Sequence, residues 1–116
     1  MIEELIYEYL DENALCSWFP TRPEDKPTTP YGIFTKTNSV KSDGHLTFST
    51  FAFQSYGSTL LEAAQISAEL RALIEELPRL TTAVSKAELA GESDFTNPSD
   101  KQPRYQAIYQ LVHFDD

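Results

Sequence analysis

The side chains most able to do chemistry in this sequence are few and stand far apart. His45 and His113 are the only histidines, and neither has a second histidine at the spacing of a metal-binding motif. Cys16 is the single cysteine, and no nucleophile motif flanks it. One thiolate is too few for a cysteine-based zinc site or an internal disulfide. The sequence therefore predicts no metal site, and a buried structural thiol at Cys16.

Motifs that bind phosphates or activate a hydroxyl are also missing from the sequence. Its four glycines are scattered, so they build neither a phosphate-binding loop nor a dinucleotide fingerprint, and no nucleophile elbow occurs. The acidic pair Glu75-Glu76 has the pattern of a solvated surface rather than of an acid/base pair in a cleft. We therefore predict that the protein is not an enzyme and uses no cofactor and no small-molecule substrate.

The net charge of the chain limits the kinds of partner that it can bind. The 116 residues include 18 acidic and 9 basic side chains, which gives a net charge of −9. Tight binding to nucleic acid depends on neutralising phosphates, so this balance argues against it. The charge has two readings that the sequence leaves open, solubility and a functional acidic surface. No apolar run approaches the roughly 20 residues that span a bilayer, and the single cysteine suits a reducing, intracellular environment.

The elements that must position these side chains fit one domain over residues 1–116. The longest helical pattern covers residues 58–77, where apolar residues recur at spacings of three and four. Thr59 followed by Glu62 is a capping-box signature at its start, and Pro78, which lacks a backbone amide, predicts its end. A second amphipathic helix is predicted over residues 2–13.

Strand patterns alternate with loops along the rest of the chain. Strands are predicted at 14–19, 31–38, 46–55, 80–89 and 104–114, although helix propensity rises again towards residue 90. The hairpin turn covers residues 39–45 with Asp43-Gly44 at its tip, and loops cover 20–30, which holds four prolines, and 91–103. The predicted class is α+β: a small mixed or antiparallel sheet of about four strands, with one long helix packed on it and an N-terminal helix.

The apolar residues of the 46–55 strand change phase. Leu46 and Phe48 share one parity, whereas Phe51 and Phe53 share the other. Strict alternation would point the two pairs to opposite faces of the sheet. The pattern therefore indicates either a bulge near Ser49-Thr50, which is the simpler explanation, or a strand covered on both sides, for example by a second subunit.

The order of these features resembles that of the small bacteriophage tail-completion proteins, also called tail terminators or head–tail joining proteins. The resemblance covers nearly the whole chain and lies in the order and length of the elements. It includes Phe19-Pro20 after the first helix, Pro30-Tyr31 after the Pro-rich loop, the aromatic strand around Phe51 and Phe53, and a closing strand that begins with Arg104-Tyr105.

The resemblance implies a mechanical role in a phage or prophage virion. Such proteins form a ring, usually a hexamer, that ends the tail tube and docks to the head connector protein. DNA passes through the lumen without specific binding, and an acidic wall would suit that passage. The protein would occur in the virion tail, and in the host cytoplasm during assembly. Interface residues expected on this basis are Tyr31, Phe51, Phe53, Phe95, Arg104 and Tyr105.

A different class stays open from the residues alone. A small acidic α+β protein-binding module, such as a regulator or a toxin-system partner, would use its acidic surface to bind basic partners. Ring assembly at high protein concentration distinguishes the two classes.

Overall fold

A computed structural model of the protein describes residues 1–25, 27–42 and 44–114. These residues form two helices and one five-stranded sheet. The helices are α1 (Ile2–Asn13) and α2 (Leu60–Leu80), and the strands are β1 (Ser17–Phe19), β2 (Tyr31–Lys41), β3 (Leu46–Tyr56), β4 (Val84–Asp94) and β5 (Arg104–Phe114). The predicted α+β class with an N-terminal and a long helix is confirmed, but the sheet has five strands rather than about four.

The sheet is mixed, with the strand order β1-β2-β3-β5-β4. β1 pairs in parallel with the start of β2, and all other neighbours are antiparallel. The predicted β2–β3 hairpin is confirmed, although β2 continues to Lys41 and shortens the turn. Gly44 has φ +75°, which a glycine adopts without strain, whereas Asp43 lies outside the described residues.

β3 keeps strict alternation along its whole length. Its register with β5 is unbroken from Leu46, opposite Phe114, to Tyr56, opposite Arg104. The odd-numbered residues of β3 therefore face the helices, and the even-numbered residues lie on the opposite face, the open face. The bulge predicted near Ser49-Thr50 of this strand is wrong.

The irregularity lies instead on the neighbouring strand. The β2 register shifts between Lys36 and Asn38, so Thr37 is an extra residue opposite Phe51 and Thr50. The shift moves the later residues of β2 to the other parity. It places Val40 on the open face.

Both helices pack on one face of the sheet. The side chain of Thr59 accepts a hydrogen bond from the backbone N–H of Glu62 at 3.1 Å, and the Glu62 carboxylate accepts one from Ser58 N–H at 2.6 Å. The predicted cap of α2 is thus confirmed. No helix in the described part of the chain is long and apolar enough to cross a membrane.

The predicted end of α2 at Pro78 is wrong, because the helix continues through this proline to Leu80. A proline removes the bond that its own amide would donate four residues back and crowds that carbonyl, but the residues after it keep their amides. Thr81 N–H still closes the helix on the Leu77 carbonyl at 3.1 Å.

The main core lies between this helical layer and the sheet. The Tyr9 hydroxyl donates to the Leu73 carbonyl at 2.7 Å, which ties α1 to α2. Burial of apolar side chains is the main stabilising term for such a layer. The core consists of Ile2, Ile6, Leu10, Trp18, Phe34, Phe51, Phe53, Ile66, Leu70, Ile74, Leu77, Val84, Ala107, Tyr109 and Leu111.

β4 confirms a strand in the uncertain segment but shifts its bounds. It begins at Val84 rather than at residue 80, and it continues to Asp94, so the predicted 91–103 loop is reduced to 95–103. The register shift between Val84 and Lys86 places Val84, Ala87 and Leu89 all on the helical side, and a second shift follows Leu89. These three residues are spaced by three and then by two positions, so the sequence of β4 does not show the regular spacing of two that is typical of a strand.

We predict that Gly32→Ala destabilises the fold, because a Cβ at this position would lie 2.3 Å from the ring of Trp18. Trp18 is itself buried, so overpacking should lower the free energy of unfolding by about 1–3 kcal/mol. Guanidinium denaturation followed by the fluorescence of this single tryptophan measures the change. Gly91→Ala is the matched control, since a Cβ there meets nothing within 4 Å. Equal stability of the two variants would contradict the argument.

Candidate functional site

The structure separates the six predicted interface residues into two groups. Phe51 and Phe53 are fully buried in the core, so neither side chain is exposed to a partner. Their assignment as interface residues is corrected to a packing role, because β3 turns its odd-numbered residues towards the helices. Tyr105 is half-buried on that same face of the sheet.

The other three predicted residues, Tyr31, Phe95 and Arg104, lie together at one end of the open face. Arg104 is only 7% exposed. Its guanidinium lies 5.6 Å from the ring centres of both Tyr56 and Phe95, a cation–π arrangement on two sides. Its Nε donates to the Phe95 carbonyl at 2.9 Å.

The contacts of the terminal guanidinium nitrogens are longer. Nη1 of Arg104 lies 3.4 Å from the Tyr56 hydroxyl, and Nη2 lies 3.9 Å from a carboxylate oxygen of Asp100. The second distance exceeds that of a hydrogen bond. The inner part of this guanidinium is therefore held firmly, whereas its outer edge is held loosely.

Stacked aromatic rings form the floor beside this arginine. The rings of Tyr31 and Tyr56 are parallel within 3°, with centres 4.7 Å apart. Phe19 meets Tyr31 edge to face, and Ile33 completes this second, smaller core. Interaction with the Tyr56 hydroxyl raises the pKa of Arg22 above its ordinary value, so this second arginine is charged at any physiological pH.

Two loops wall a cavity of about 260 Å³ over this floor. The Pro-rich loop supplies Arg22 and Glu24, and the 95–103 loop supplies Asp100 and Gln102. The Gln102 amide donates to the Gly57 carbonyl at 2.8 Å, which fixes the second loop to the end of β3. We call this cavity, with Arg104 at its side, the arginine pocket.

The second feature of the open face is an apolar patch at the far end of β2, β3 and β5. Val40 and Phe114 are 55% and 49% exposed, and the residues between them are half-buried. An antiparallel sheet with one solvated face normally carries polar residues there. The open-face patch consists of Val40, Leu46, Phe48, Val112 and Phe114, and the polar pair Thr50 and Gln110 separates it from Ile108.

His113 and Ser49 form a buried polar pair rather than an accessible catalytic one. The Ser49 hydroxyl lies 2.7 Å from Nε2 of His113, and Ser49 is fully buried. Ser39 lies 3.2 Å from Ser49 and extends the cluster. A serine without solvent access does not reach a substrate, so the pair satisfies polar groups inside the fold.

Neither a metal site nor a reactive thiol is indicated by the geometry. Within residues 1–25, 27–42 and 44–114, no three histidine, cysteine or acidic side chains are grouped to hold a metal ion. Burial raises the pKa of the Cys16 thiol to about 11, and the carboxylates of Glu69 and Glu62 act in the same direction. The sequence predicted a buried structural thiol, and Cys16 is half-buried against the core.

Of the residues that line the arginine pocket, the sequence indicated only Tyr31 and Arg104 as site residues; Arg22, Glu24, Tyr56, Asp100 and Gln102 are among those it missed. It predicted both loops, but not that they face each other. The β3–β5 pairing sets Tyr56 opposite Arg104. Because these two residues are almost fifty positions apart in the chain, no local sequence pattern predicts that they meet.

The chain matches no protein-family model and no curated protein sequence. The features of the chain that bear on its function are therefore the arginine pocket, the open-face patch and the order of the elements.

We predict that Cys16 alkylates slowly at pH 8. With a pKa of about 11, its thiolate fraction is about 100-fold below that of an unperturbed cysteine, and the thiolate is the reacting form. Reaction with iodoacetamide, followed by mass spectrometry, measures the rate. The same protein unfolded in guanidinium is the control and should react at the ordinary rate. Similar rates in both states would show that the fold does not protect the thiol.

Proposed function

We propose that this protein is a structural component of a phage or prophage tail, located in the virion. It assembles with copies of itself into a hexameric ring that caps the tail tube and joins it to the head connector. The observation that carries the proposal is the open-face patch, because it supplies a surface for assembly that a monomer would leave in water.

The position of the patch supports assembly over a solitary role. The helices cover one face of the sheet, and the apolar residues of the open face span its three central strands. Contiguous exposed apolar surface of this kind marks interaction sites in soluble proteins. A ring needs one surface of each copy to meet a different surface of the next. The open-face patch serves as one of these two surfaces.

The charge of the chain suits the passage of DNA. With a net charge of −9, copies arranged around a lumen would repel the phosphate backbone rather than bind it. The proposal places acidic side chains on the lumen wall. A ring structure with those side chains on its outer surface would remove this part of the proposal.

The proposed role is non-catalytic. The fully buried Ser49 and the raised pKa of Cys16 support this, since neither group is available as a nucleophile. The role also requires no cofactor and no small-molecule substrate. Its partners are other copies of the chain, the tail tube protein and the head connector protein.

The test is the assembly state of concentrated protein, by sedimentation velocity and negative-stain electron microscopy. We expect closed rings of uniform diameter, on isolated tail tubes if not in free solution. Compact monomers or dimers under both conditions would contradict the proposal and favour the acidic binding module.

We predict that Val40→Glu and Phe114→Glu each weaken assembly. A carboxylate buried in an apolar interface is strongly unfavourable, so the dissociation constant should rise about tenfold or more. Sedimentation velocity over a concentration series measures it. Leu61→Glu is the matched control, because Leu61 is 70% exposed on α2, on the other side of the sheet. Equal weakening by all three variants would show that the open-face patch is not the specific contact.

A further inference from the structure

Arg104 keeps hydrogen-bonding capacity at its outer edge. A guanidinium carries five N–H donors. The described residues give it one short side-chain hydrogen bond, at Nε, one long contact at Nη1 and one ion pair at 3.9 Å from Nη2. Since the residue is 7% exposed, the donors at this edge are satisfied either by water or by a ligand in the arginine pocket.

The cavity lies where a ligand would meet that edge. Arg104 and Arg22 both line it, together with the stacked rings of Tyr31 and Tyr56. Its volume of about 260 Å³ is slightly below the range of ordinary small-molecule pockets. It suits a small group, such as one side chain, rather than a cofactor.

The charges around the cavity select the type of anion. Arg22 and Arg104 contribute two positive charges, and Glu24 and Asp100 contribute two negative charges. The charges of the described lining residues are therefore neutral in sum, so a dianion such as phosphate gains little from them. A carboxylate carries one charge and matches the planar fork of a guanidinium with two oxygens.

Asp100 already places one carboxylate beside Arg104. Its carboxylate is about half exposed and lies near Nη2 of Arg104 without reaching hydrogen-bond distance. At this distance it attracts the guanidinium but does not accept a hydrogen bond from Nη2. An incoming carboxylate would compete with it for Arg104.

We propose that the arginine pocket binds a single carboxylate group, which accepts hydrogen bonds from Arg104 and Arg22 beside the stacked tyrosines. The carboxylate belongs either to a small organic acid or to an acidic side chain of a second copy of this chain, which has 18 acidic residues. The inference is independent of the tail role, because a pocket that binds acetate and a ring that assembles are measured separately.

The first experiment is a titration of the ¹⁵N-labelled full chain with sodium acetate at constant ionic strength, followed by NMR. We expect saturable shifts of the backbone amides of Tyr31, Gln102 and Arg104, with a dissociation constant on the order of millimolar. Sodium chloride and sodium phosphate should give at most weak, unsaturated shifts. Absence of saturation with acetate, or tighter binding of phosphate, would overturn the proposal.

Variants of exposed residues avoid the risk that replacing the buried Arg104 unfolds the protein. Arg22→Gln should weaken acetate binding about fivefold or more, because it removes one charged donor. Asp100→Asn should strengthen it several-fold, since it removes the competing charge. Arg79→Gln is the matched control, because Arg79 lies on α2 and pairs with Glu76. Equal effects of Arg22→Gln and Arg79→Gln would contradict a site at this pocket.

A second arm identifies the source of the carboxylate. If it comes from a second copy, Arg22→Gln weakens self-association in sedimentation velocity while Arg79→Gln does not. If acetate binds but both variants associate like the unmodified chain, the carboxylate is that of a small acid. Absence of ring assembly by the unmodified chain, with acetate binding intact, would remove the proposed function and leave this inference standing.

Discussion

The fixed alternation of β3 is the constraint on which the rest of this structure depends. β3 is hydrogen-bonded along its length to β2 on one side and β5 on the other, so its register has no freedom to slip. Phe51 and Phe53 must therefore enter the helical core, and Leu46 and Phe48 must lie on the open face. An apolar surface away from the helices is thus a consequence of satisfying the core.

The register of β3 with β5 is unbroken, and the irregularities of the sheet lie in β2 and β4. The extra residue of β2 and the two register shifts of β4 occur in strands that lie towards the edges of the sheet. Bulges are common at such positions, and they also discourage edge-to-edge pairing with other chains. The centre of the sheet stays regular, which gives the open-face patch a firm base.

The helical side is held by polar contacts as well as by packing. The Tyr109 hydroxyl donates to the Glu75 carboxylate on α2, and burial together with this bond raises the pKa of the tyrosine. Arg71 donates to Glu92 of β4 at 3.0 Å, so α2 is tied by polar contacts to β4 as well as to β5. The helical side of the sheet thus carries both the packing and the polar contacts that stabilise the fold.

The sequence by itself determined the local elements, because their signals lie within a few residues of one another. The cap of α2 at Thr59 and the span of β5 are examples. Tertiary structure decided what depends on long-range pairing. It moved the bulge from β3 to β2, buried Phe51 and Phe53, and brought Arg22 near Arg104. Each of these depends on residues far apart in the chain, whose meeting is set by the packing of the whole sheet.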